Sequence, residues 1–132
     1  MKRVNGILSE KELHKRKMIA EIRKYDILIP IKQPWFDMIK SGIKREEYRK
    51  DGHYWRIRIK NAAQVRYPIV ACFRNGYSLS SPTYTCVITV SRGIGKKEWG
   101  ATDEKCLILH LYDFSISGWE QARLDSPFGL TI

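Results

Sequence analysis

Lys44, Glu47 and Arg49 fall within six positions of one another, in the stretch Gly42-Ile43-Lys44-Arg45-Glu46-Glu47-Tyr48-Arg49. A lysine can hold a phosphate, or act as a base once burial lowers its pKa towards neutrality. A carboxylate can position a ligand or accept a proton. A guanidinium presents a planar fork that binds an anion or a carboxylate through two parallel N–H groups. The three can therefore build a polar site for an anionic ligand. They can equally build a solvated strand edge, or a buried ion pair that only orients the fold. In a regular strand, Arg45, Glu47 and Arg49 share one face and Lys44, Glu46 and Tyr48 the other. Lys44 joins Glu47 only if the chain bends as it leaves Gly42, where a left-handed glycine ends the preceding helix.

The neighbouring elements must hold these groups. Asp26 to Ile31 is a short isoleucine-rich run that reads as a buried strand. Pro30 has no ladder donor, so it marks that strand's end or an edge. Pro34 suits the first position of a helix, where a missing N–H costs nothing. Trp35, Met38 and Ile39 follow at helical spacing and should face the core, Trp35 as a core residue before a stacking platform. Beyond the motif, Lys50-Asp51-Gly52 reads as a turn. Trp55, Ile57 and Ile59 alternate with Tyr54, Arg56 and Arg58, which on its own argues strand. In either conformation Tyr54, Trp55 and Arg56 set aromatics beside guanidinium groups. That mixture suits base stacking and phosphate binding, and also a surface face of snorkelling arginine stems.

Tyr67 to Phe73 and Thr83 to Val90 are β-rich runs, separated by an Asn75-Gly76 turn signal. Arg92 to Lys97 mixes glycine with lysine, lacks the spacing of a phosphate-binding P-loop, and reads as a hairpin loop. Leu107 to Tyr112 is the last strand. In the tail, Trp119 and Phe128 are candidates to pack back on the sheet. At the other end, Ser9 and Glu12 have the form of a capping box, so a helix should run from about Glu10 to Arg23. Leu13, Met18, Ile19 and Ile22 would be its apolar stripe. Residues 1–24 hold eight Lys/Arg against three Glu, half of the net charge. This basic arm can dock on the domain formed by residues 25–132, or touch phosphates.

The 132 residues fit one domain, and a net charge of +10 favours anionic partners, nucleic acid before a membrane surface. There is no apolar run long enough to span a membrane and no apolar leader, so neither membrane partner nor export is expected. Cys72, Cys86 and Cys106 are few and scattered, which reads as free thiols in a reducing compartment, the cytoplasm. His14, His53 and His110 are isolated, so no metal site and no cofactor are expected. Nothing in the sequence fixes an oligomeric state.

Gly42, Lys44, Glu47 and Arg49 fill the four fixed positions of the ASCH domain motif, and residues 27 to 41 resemble that family's first strand and helix. Phe73-Arg74-Asn75-Gly76-Tyr77 is similar to a segment of one ASCH branch. The likeness covers about residues 26 to 114. It implies an α+β, mostly β fold: a small PUA-like β-barrel with two or three short helices. In the same branch a Tyr-Trp-Arg stretch looks like a short helix, so residues 53–60 are expected to be helical. The resemblance implies RNA or a nucleotide-like anionic ligand as partner, held in a pocket where the motif strand meets the helix end. Lys44 would meet a phosphate or act as a base, Glu47 would position or accept a proton, and Arg49 would hold it or the ligand. Arg74, Asn75 and Tyr77 would come from a second loop. The alternative is a small hydrolase. ASCH relatives that deacetylate acetylcytidine use a lysine, a threonine and a glutamate. Lys44 matches the lysine, but Glu47 stands where the threonine falls, which counts against the same activity. A ribonuclease is a further possibility that the family leaves open.

Overall fold

The computed structural model describes residues 3–4 and 7–132, with side chains from Leu8 onward. Strands β1 (Arg3–Val4) and β2 (Ile7–Leu8) pair antiparallel and lead into helix α1 (Glu10–Arg23). The Ser9 hydroxyl accepts from the Glu12 N–H at 3.2 Å, the cap its spacing predicts. The apolar stripe is only partly as expected. Ala20 is buried and Leu13 and Ile19 half-buried, whereas Met18 and Ile22 are exposed. At about 100° per residue, Met18 and Ile22 lie on the far side from the Leu13–Arg16–Ala20 seat.

The main sheet has five strands: β3 (Ile27–Pro30), β4 (Glu46–Arg49), β5 (Ile69–Arg74), β6 (Thr83–Gly93) and β7 (Cys106–Tyr112). Their order is β3-β5-β6-β7-β4. β3 runs parallel to β5, and the other neighbours are antiparallel. Pro30 therefore sits at the end of an edge strand, where its missing N–H breaks no ladder. The sheet curls into a half-barrel whose two edges are β3 and β4. One side chain crosses between them: the Arg49 guanidinium donates to the Pro30 carbonyl at 2.8 Å.

Three helices accompany the sheet: α2 (Trp35–Lys40), α3 (His53–Val65) and α4 (Ile116–Asp125). With α1 they hold 43 of the described residues against 36 in strands, so the fold is α+β with helix the larger share. Residues 53–60 lie in α3. The alternation of Trp55, Ile57 and Ile59 suggests a strand, but burial follows the helical spacing of Ile59 and Ala62. One face of the sheet packs Ile29, Ile69, Phe73, Ile88, Leu107 and Leu109 against Phe36 and Ile39 of α2 and Ile59 of α3. Each such side chain contributes about 1.5–3 kcal/mol by burial, more than an exposed ion pair. On the other face, Trp119 of α4 lines a pocket with Val70 and Val87, and β5 is buried on both sides. Phe128 does not pack back; it is exposed. Cys72 and Cys86 are buried free thiols and Cys106 is half-buried. Burial pushes the Cys86 thiol up to about 12.

Candidate functional site

The bend that the motif requires is present. Gly42 has φ +83°, and the Lys44 N–H then donates to the Met38 carbonyl at 2.9 Å. This turn drives Lys44 inward ahead of β4, onto the side where Glu47 lies. Its residual exposure is 1%. Lys44 Nζ stands 3.2 Å from Glu47 Oε1 and also donates to the Trp99 carbonyl. The rings of Trp35 and Tyr48 flank it, with centroids 5.0 and 4.8 Å from Nζ. Burial lowers the Lys44 pKa, and the adjacent Glu47 carboxylate opposes that shift.

Glu47 uses both of its oxygens. Oε2 accepts from Arg49 Nε at 3.1 Å and Nη2 at 2.6 Å, while Oε1 faces Lys44. Arg49 in turn lies over the Trp55 ring of α3, 4.9 Å from its centroid. Two cations thus share one carboxylate, which leaves a surplus positive charge in a low-dielectric setting. Such a charge acts strongly on an anion placed above it.

Above this group opens a cleft of about 700 Å³ along the barrel seam. Glu47 and Arg49 form its floor, with Trp35 and Tyr48 on one side and Asn75 and Tyr77 on the other. Lys32 and Lys50 stand at its rim. Gly76 has φ +124°, and a Cβ there would meet Ser81 Oγ at 2.6 Å, so the turn requires glycine. That turn presents Tyr77 with 91% of its surface exposed.

The structure therefore brings together Lys44, Glu47, Arg49, Asn75 and Tyr77, with Trp55 as the support under Arg49. It places three expected residues elsewhere. Tyr54 points towards α1, because successive helical residues diverge by about 100°. Arg56 pairs with Asp51 at 3.3 Å. Arg74 ends β5 half-buried, its Nε is buried without a hydrogen-bond partner among the described residues, and it does not line the cleft. Lys44 lies under the cleft and is not part of its wall.

Trp35, Tyr48, Lys32 and Lys50 are additions. The Trp35 helical spacing reads as core, yet the ring is half-buried and walls the cleft. The loop after β6 is a second addition. Tyr48 Oη accepts from the Lys96 N–H at 2.9 Å and donates to Glu46 Oε1 at 2.8 Å. A Cβ on Gly95 would lie 2.3 Å from the Tyr48 ring, so only glycine lets the loop close over it. Trp99 contributes a carbonyl, which leaves no side-chain signature in a sequence.

On the strands beside the motif, Ser91 Oγ is 2.8 Å from His110 Nε2. The array resembles a Ser-His-Glu triad, but Glu46 Oε2 is 3.7 Å from His110 Nδ1, beyond hydrogen-bond range. Among the described residues no group of three or more His, Cys, Asp or Glu is placed to hold a metal. No helix among them is long and apolar enough to cross a membrane.

The ASCH domain model matches residues 29–128, and the chain belongs to the ASCH domain family. The match runs past residue 114 and takes in α4. No curated protein and no solved structure matches the chain.

Proposed function

We propose that this chain is an RNA- or nucleotide-binding protein whose ligand lies in the seam cleft, over Glu47 and Arg49. The observation that carries the reading is the shared carboxylate. With Lys44 and Arg49 on one Glu47, the floor of the cleft holds a net positive charge, under walls of Trp35, Tyr48 and Tyr77. Phosphate on the cationic floor and rim, with bases on the aromatic walls, is the chemistry of single-strand recognition. ASCH domains are generally RNA-binding, which supports the same reading. Arg49 is the principal contact, Asn75 and Tyr77 the second-loop contacts, and Lys44 the source of field beneath them. Free thiols fit a reducing, cytoplasmic setting. Helix α1, which packs on α3, serves as a basic arm.

The lowered pKa of Lys44 favours a second reading, a hydrolase of modified nucleosides with Lys44 as base. Burial argues against it. Nζ is closed in by Glu47, the Trp99 carbonyl and two rings, and both Glu47 oxygens are engaged. The test is fluorescence anisotropy of short labelled single-stranded RNA with wild type, Arg49→Lys and Lys44→Met, alongside a chromatographic assay of acetylcytidine. Binding that falls in both variants, without turnover, is the expected result. Turnover abolished by Lys44→Met would install the hydrolase instead. RNA binding that ignores both variants would remove the cleft from the account.

A further inference from the structure

Positive charge does not stop at the rim of the cleft. Three consecutive residues lead out of it, through the corner between β4 and α3. Arg49 lies in the floor, Lys50 stands at the rim, and Asp51 holds two more arginines. Asp51 Oδ1 accepts from Arg56 Nη1 of α3 at 3.3 Å, and Oδ2 from Arg92 Nε of β6 at 2.9 Å. Arg49 and Arg92 both stand opposite Leu107 of β7, one on each side of it, so they share the sheet face that bears the cleft. Two strand spacings, about 10 Å, separate them.

This is the second place where two cations share one carboxylate. Unlike the Glu47 group it is open to water, with the Arg56 and Arg92 side chains 37% and 38% exposed. Each guanidinium has several N–H groups and spends one on Asp51; neither has another hydrogen-bond partner among the described residues. Lys50, Arg56 and Arg92 against Asp51 leave the corner positive. Two like charges held on one carboxylate repel each other, and a second anion relieves that repulsion. A phosphate laid across the two forks would be that anion, bound through N–H groups that have no other partner.

The opposite side of the cleft offers nothing comparable. Residues 75–83, which supply the Asn75 and Tyr77 wall, contain no charged side chain. The charge around the cleft is thus lopsided. A free nucleotide carries its phosphates at one end and is served by floor and rim alone. Cations that continue past the rim serve a ligand whose phosphates continue too.

We propose that the ligand of the cleft is a polynucleotide strand and not a free nucleotide, and that it leaves the cleft across Lys50 onto Arg56 and Arg92, away from the Asn75–Tyr77 loop. This deepens the reading of the cleft as an RNA site and rests on it.

The experiment measures the salt dependence with which the full chain binds labelled single-stranded RNAs of two and about ten nucleotides, with a nucleoside triphosphate as competitor. The proteins are wild type, Arg49→Lys, Arg56→Gln, Arg92→Gln, Asp51→Asn and Glu120→Gln, with a melting temperature for each. Glu120, exposed on α4, controls for the loss of one negative charge. The longer RNA should bind wild type at least about tenfold tighter than the dinucleotide. Arg56→Gln and Arg92→Gln should each lower its affinity by about threefold to fivefold. Each should also flatten its slope of log K against log salt by about 0.7, the loss of one phosphate contact. The dinucleotide should stay within about twofold of wild type in both. Asp51→Asn has the opposite sign: it should tighten the longer RNA, and by more than Glu120→Gln does. Ion pairs that only steadied the fold would move melting temperatures and leave the effect of length alone.

Equal affinities for the two lengths, a triphosphate that binds as well as the longer RNA, or salt slopes untouched in both arginine variants would overturn the strand path. Asp51→Asn removes no arginine, so it keeps the test open if an arginine variant fails to fold; a gain no larger than that of Glu120→Gln would count against the path. If the dinucleotide binds, is lost in Arg49→Lys and gains nothing from length, the cleft reading stands and the path falls. If the longer RNA responds at Arg56 and Arg92 but not at Arg49, the corner stands as an RNA surface and the cleft reading falls. If neither RNA binds, both fall.

Discussion

The seam cleft and a groove of about 490 Å³ between α1 and α3, which Asn61 lines, bury polar groups in opposite ways. Beneath the cleft three charged side chains are withdrawn from water, and each has partners: Glu47 bonds with both oxygens, Lys44 with Glu47 and Trp99, Arg49 with Glu47 and Pro30. What remains there is charge. In the groove a neutral amide is withdrawn from water, and what remains is an acceptor without a donor. A surplus of charge acts at a distance; a buried acceptor without accessible surface acts only through the cost of its own burial. The first arrangement is also part of the scaffold, because Arg49 ties the two sheet edges together. The second can be changed without touching the sheet.

The contrast breaks most forcefully at Glu47. Glu47→Ala leaves Lys44 and Arg49 buried as uncompensated neighbours, and should cost about 3–5 kcal/mol in urea unfolding. A loss below about 1 kcal/mol, the range of an exposed pair, would mean that the group is solvated and not part of the scaffold. Lys44→Met is milder, since Glu47 keeps Arg49. It should cost about 1–3 kcal/mol, chiefly for the Trp99 carbonyl deprived of its donor.

That variant also has a pH signature. The Lys44 pKa is lowered in the fold from 10.5, by burial first and against the pull of Glu47. Between the lowered value and 10.5 the unfolded chain therefore binds more protons at this residue than the folded chain. The contribution of Lys44 to stability rises with pH through that window, and Lys44→Met lacks the rise. The stability gap between wild type and variant should widen as pH rises towards 10.5, with the raised tyrosines and cysteines cancelling because both proteins carry them. A gap that stays constant would contradict burial of a charged lysine.

Gly95→Ala sharpens the role of the loop that roofs Lys44. Its methyl meets the Tyr48 ring, and overpacking of this kind costs about 1–3 kcal/mol. The loss should come with weaker RNA binding, because Tyr48 walls the cleft; unchanged stability and binding would detach the loop from the site. The smallest effect belongs to the groove. Asn61→Leu should leave stability unchanged or raise it by up to about 1 kcal/mol. A clear loss would show Asn61 to be a structural hydrogen-bonding residue.

Local signals make much of this architecture readable. Ser9 and Glu12 announce the start of α1, Gly42 the end of α2, and the motif spacing the composition of the charged group. The bend that lets Lys44 meet Glu47 is inferable because strand alternation forbids the meeting otherwise. Three things are out of reach, for one reason: they depend on partners distant in the chain. The parallel pairing of β3 with β5 brings Pro30 opposite the motif only in the folded sheet. Trp99 enters as a carbonyl, 55 residues from Lys44. Asn61 stands in α3 between Lys60 and Ala62, and nothing local reveals that its oxygen has no donor. Trp35 differs from these: its spacing correctly turns it inward, but inward at the seam is the wall of a cleft.

The central claim is that RNA phosphates lie on the cationic cleft. Its most direct test is the salt dependence of RNA affinity for wild type and for Lys32→Ala combined with Lys50→Ala, the two rim lysines that make no contact with the buried group. For single strands the slope of log K against log salt becomes shallower by about 0.7 for each phosphate that the protein no longer neutralises. The double variant should therefore show a slope shallower by about 1.4, at unchanged melting temperature. A slope identical to wild type would place the phosphates elsewhere and contradict the account.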